Sequence, residues 1–139
     1  MKLNKKINQA FTLIEVLLAS FVLEIGLLGI VGFYSYSFQI SKIARQETTA
    51  ANLASGLLDE KLAVSYDNLP IGPGLKTRYS TDEASPFYNY WQKIDVAYIN
   101  TDLSESAVDT NMKKIVVTIF WPHEGGERSF QTATIKTRH

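Results

Sequence analysis

The sequence predicts an α+β chain in which one long N-terminal helix packs on a small antiparallel sheet of three to four strands. Three observations carry that expectation. Phe11 to Phe33 is apolar except for Thr12, Glu15, Ser20 and Glu24. No Pro follows until Pro70, while apolar residues recur at helical spacing. Met112 to Trp121 is rich in Val, Ile and aromatic residues, and Arg128 to Lys136 sets Phe130, Thr132 and Thr134 on one face against Gln131, Ala133 and Ile135 on the other.

Composition bounds what such a chain can do. It has 139 residues, 45% of them hydrophobic, with 14 Lys+Arg against 14 Asp+Glu. That is enough for one small domain and an appendage and too little for a multidomain enzyme. The balanced, scattered charge supplies no basic footprint, so no direct nucleic-acid binding is expected. Cys is absent, which excludes disulfides, a thiolate zinc site and a cysteine nucleophile.

The first ten residues carry Lys2, Lys5 and Lys6 and no acid. The next 23, Phe11 to Phe33, would extend roughly 34 Å as a helix, which matches a hydrocarbon core of about 30 Å. A single membrane span follows, and the basic flank sets it N-in, C-out. The residues after it, GFYSYSFQ, contain no small-x-small cleavage pattern, which argues against an ordinary secretory signal.

Carboxylates inside such a span each cost about 2.5 to 3.5 kcal/mol at the bilayer centre. Glu15 lies four residues after Phe11, so a chain cut before Phe11 would bring its new amine and this carboxylate to one helix face. Glu24 is nine residues further on and faces the other side of the helix. It has two readings: a second polar contact with a neighbouring subunit, or a carboxyl tolerated in protonated or snorkelling form. Gly26, Gly29 and Gly32 each weaken the helix by about 1 kcal/mol relative to Ala, which favours either a soft segment or close helix packing.

The basic leader, the run Gln9-Ala10-Phe11-Thr12-Leu13-Ile14-Glu15-Val16 and the span behind it together resemble the type IV prepilin family. The resemblance implies a pilin-like fold. It implies a leader, residues 1–10, that prepilin peptidase removes between Ala10 and Phe11, and N-methylation of Phe11. It also implies that Glu15 neutralises the amine of an adjacent subunit, an account that competes with pairing inside one chain. The family usually has Gly before the cut; Ala10 adds one methyl group, and cleavage is expected to survive it. The partners implied are prepilin peptidase, other pilin or pseudopilin subunits and the inner membrane, from which the head passes into an extracytoplasmic filament. No cofactor, metal or catalytic residue is implied.

After the span, residues 34–64 read as an amphipathic continuation of the helix, with Ile40, Ile43, Ala44, Glu47, Ala51, Ala54, Leu58 and Leu62 as the face seeking a partner. Pro70, Gly72, Pro73 and Gly74 then end the helix and start a head over residues 65–139. Strands are expected at Tyr88–Asn100, Met112–Trp121 and Arg128–Lys136, the last two joined through a turn at Pro122–Glu127. Packing this sheet on the amphipathic face satisfies both.

Two stretches, Ile25-Gly26-Leu27-Leu28-Gly29 and Lys113 to Trp121, resemble minor pilins of the PilV type and the I-type pseudopilins of type II secretion systems. A structural minor subunit of a type IV pilus is therefore the expected function, with a pseudopilus subunit as the alternative. Two other classes compete with it. An extracytoplasmic enzyme would have to draw on Asp95, His123, Glu124 or His139, which form no catalytic or metal-ligand spacing. A binding module would use Phe87, Tyr88, Tyr90 and Trp91, aromatics that at a strand entry more often belong to the core.

Overall fold

The computed structural model describes Thr12 to Arg138. Helix α1 spans Leu13–Ala63, and five strands follow it: β1 Thr77–Arg78, β2 Trp91–Ile99, β3 Glu105–Ser106, β4 Met112–His123 and β5 Gly126–Thr137. The chain divides into two compact units, one ending at Lys42 and one running from Ile43 onward.

The first unit is helical. Thr12 carbonyl oxygen accepts from the amides of Glu15 and Val16 at 3.0 and 3.2 Å, which starts the ladder at the point where the apolar run begins. Ser20 and Ser35 hydroxyls donate back to the carbonyls of Leu17 and Val31 at 2.9 and 3.2 Å. These polar side chains are thus satisfied within the helix and need no water.

The second unit is helix on sheet. The sheet is antiparallel in the order β1-β2-β4-β5, with β3 also pairing β2. Register puts Ile94 opposite Val117 and Val96 opposite Ile115, and Ile115 opposite Thr134. Residues directly opposite in antiparallel strands share a face, so Val96, Ile115, Val117, Ile119 and Trp121 form one apolar layer. Ala50, Leu53, Ala54 and Leu57 of α1 close on it, and Ala50 and Ala54 are completely buried. Small residues at these positions let the helix backbone approach the sheet closely.

Three expectations are corrected here. The helical face in contact is centred on Ala50, Leu53 and Leu57, whereas Ile40, Ala44, Glu47 and Leu62 are exposed. A carboxylate at Glu47 cannot enter the core, and it sits at the flank, bonded to Arg128 at 2.9 Å. Strand β2 begins at Trp91 rather than Tyr88, because Tyr88 and Tyr90 amides are taken by the carbonyls of Ser85 and Phe87 in local turns. The β4–β5 turn shrinks to Glu124-Gly125, with Pro122 already opposite Glu127 and His123 opposite Gly126.

The two-residue strands β1 and β3 bring the sheet to five. Between helix and β1 the chain runs beside β2, with Gly72 and Val96 exchanging amide and carbonyl bonds of 2.8 and 3.1 Å. Gly72 has φ +131°, and a Cβ on Gly74 would meet Ile94 carbonyl oxygen at 2.1 Å. Both positions therefore require glycine.

Candidate functional site

Ala10, Phe11 and His139, all singled out from the sequence, lie outside the described residues. The expected charge-pairing and glycine positions fall within α1. Every large apolar side chain from Leu13 to Phe38 is solvent-facing, Leu13 at 82%, Leu28 at 73% and Phe21 at 61%. The segment is long and apolar enough to cross a membrane, and its apolar window is unburied among the described residues. An exposed apolar surface of this extent marks a membrane or protein contact.

Glu15 lies in the first turn of α1, where a carboxylate is favoured by the positive end of the helix dipole. Glu24 is exposed in the middle of the apolar stretch. Neither has an ion-pair partner among the described residues. Gly26, Gly29 and Gly32 lie in continuous helix, and a Cβ at any of them would meet nothing within 4 Å. Among the described residues no contact requires them to be small.

The head carries a polar cluster that the sequence did not announce. Lys113, 3% exposed on β4, donates to the carbonyls of Tyr66 and Leu69 at 2.6 and 2.9 Å. Its ammonium also lies 4.3 Å from the centre of the Tyr66 ring. Arg138 lies against the same ring at 4.5 Å and donates to Asp67 at 2.8 Å, Asp109 at 2.7 Å and Asn111 at 2.9 Å. The Tyr66 hydroxyl donates to Asp109 at 2.6 Å. Desolvation first, and then that hydrogen bond and the charge of Asp109, push the Tyr66 pKa up to about 12. The same bond holds the Asp109 carboxyl below its ordinary range. Three separate segments, at residues 66–69, 109–113 and 138, are tied together without a disulfide. Residue identity alone offered no sign of it, because the members lie up to 72 positions apart.

Among the described residues, those weighed for catalysis, Asp95, His123 and Glu124, do not form one cluster. Asp95 accepts from Gly74 amide at 3.0 Å and pairs with Lys93 at 2.8 Å, which gives it a structural task. His123 lies at the end of β4 beside the hairpin turn with Glu124. No group of three or more His, Asp or Glu with metal-binding geometry occurs among the described residues. The aromatic set divides as well. Tyr90 enters the core with its ring 6.2 Å from Trp121, and Phe87 meets Tyr79 edge-on at 5.9 Å. Tyr88 and Trp91 are faced by the Arg78 guanidinium at 4.0 and 5.1 Å.

Comparison with family models, with curated proteins and with solved structures finds no match to this chain.

Proposed function

We propose that this chain is a structural minor subunit of a type IV pilus, cut between Ala10 and Phe11 by prepilin peptidase, methylated at Phe11 and held in the inner membrane until assembly. The observation that carries the reading is the apolar surface of α1. From Leu13 to Phe33 it is exposed all round among the described residues and opens with Glu15 in its first turn. A helix of this kind is stable in lipid or among identical helices, and a filament assembled from a membrane supplies both in turn.

The head supports a structural role. Its helix-on-sheet core is tied at one end by the Lys113 cluster, and among the described residues its acids and histidines form no group that could hold a metal. The subunit contributes its N-terminal helix to the filament core and its head to the surface or tip. Glu15 neutralises a terminal amine during assembly, its own or that of an adjacent subunit.

The test is incorporation. Glu15→Val keeps the helix and removes the carboxylate. In cells that form the filament, the variant is expected in the membrane fraction at normal abundance and to be lost from sheared filaments. Undiminished incorporation of Glu15→Val would count against the proposed assembly role.

A further inference from the structure

Directly beyond the apolar run, α1 reads Phe33-Tyr34-Ser35-Tyr36-Ser37-Phe38, four rings within six residues interleaved with hydroxyls. All four rings are exposed, at 69%, 62%, 63% and 71% for Phe33, Tyr34, Tyr36 and Phe38. Tyr34 and Phe38 touch each other at 6.4 Å between centroids, one turn apart. At about 100° per residue the four rings spread over roughly 200° of the helix circumference. That is about twice the stripe of roughly 100° that one packed partner covers. A single protein partner therefore does not account for them, whereas a boundary that surrounds the helix does.

Length places that boundary. The described apolar segment from Leu13 to Phe33 rises about 32 Å, close to the roughly 30 Å of a hydrocarbon core. The rings begin where the hydrocarbon ends, and Tyr combines an apolar ring with a polar tip suited to headgroup depth. We infer that Phe33, Tyr34, Tyr36 and Phe38 form an interfacial belt that binds the lipid headgroup layer and fixes how far the helix can sink. The inference rests on the membrane-span reading above. It adds a depth: Glu24 comes near the bilayer midplane, and Gly26, Gly29 and Gly32 come in the leaflet next to the belt.

The absence of Cys makes a depth measurement direct. Single variants Ser20→Cys, Ser35→Cys, Ser37→Cys and Ser41→Cys of the full chain are spin-labelled and reconstituted in phosphatidylcholine vesicles. Collision with oxygen, which concentrates in hydrocarbon, is compared with collision with a water-soluble nickel chelate. Oxygen is expected to dominate at Ser20 and the chelate at Ser41, with the crossover at Ser35 to Ser37. Replacing both Tyr34→Leu and Tyr36→Leu removes the polar tips and is expected to move the crossover about one turn toward the C-terminus. A crossover elsewhere, or one that the double replacement leaves in place, overturns the belt while the span stands. Chelate access at all four sites overturns the span and the belt together.

Discussion

The hydroxyl of Tyr66 donates to Asp109 Oδ1 at 2.6 Å, across 43 residues of chain, at the point where helix, loop and final strand meet. This bond gives the head a titratable joint. The folded Tyr66 pKa, about 12, lies above its ordinary value of 10. A raised pKa means that the folded state holds the proton more tightly, so the associated stability is complete below pH 10 and is lost as pH rises toward 12. Tyr66→Phe is expected to cost about 1 kcal/mol at neutral pH and to flatten the decline between pH 10 and 12. Urea unfolding of both proteins across that range in detergent checks it.

Lys113 is the complementary case, a buried ammonium satisfied by carbonyls and rings rather than by an acid. Lys113→Met keeps the length of the side chain but leaves the Tyr66 and Leu69 carbonyls without their donor. A loss of about 3 kcal/mol is expected, read as a lower urea midpoint at unchanged slope. A loss under about 0.5 kcal/mol, the size of an ordinary surface change, would show that the cluster does not hold the head together.

Helix and sheet meet through small residues, so added volume is more harmful there than lost charge. Ala54→Leu forces three further carbons into a fully buried position and is expected to destabilise by about 1 to 3 kcal/mol. Glu47→Ala removes a pair whose side chains are 53% and 41% exposed, and the expected change is under about 0.5 kcal/mol. Thermal melts of the two variants should separate clearly.

In the proposed span Glu24 lies near the middle, where a carboxylate carries a cost in lipid. Glu24→Leu is expected to favour membrane insertion by about 3 kcal/mol, roughly a hundredfold in the insertion equilibrium. Insertion efficiency of the segment in microsomes measures it directly. Unchanged efficiency would place Glu24 outside the hydrocarbon.

The fold was legible where a physical period is strong. Ile115, Val117, Ile119 and Trp121 alternate so regularly that β4 and its buried face follow from the sequence, and all four are at most 2% exposed. The helix was legible through its length and the absence of Pro. Its contact face was less so, because Ala-rich turns offer several stripes of similar apolarity, and the carboxylate of Glu47 with its Arg128 partner decides between them. The two-residue strands β1 and β3 leave no periodicity to detect. The Lys113 cluster was hidden because it joins residues that only the fold brings together.

Within the proposed site, Glu15, Glu24 and the three glycines stand on the exposed apolar helix where the sequence put them. In the proposed filament their contacts are intermolecular, and a single chain carries no pattern for them. Local sequence does determine the proposed processing step, which precedes every contact in a filament.

N-terminal peptide mass spectrometry of the native protein, from cells with and without their prepilin peptidase, therefore tests the central claim most directly. The account predicts a mature chain that begins at N-methylated Phe11 and disappears when the peptidase is absent. A chain that still begins at Met1 in peptidase-positive cells would contradict it and would leave a membrane-anchored head with no route into a filament.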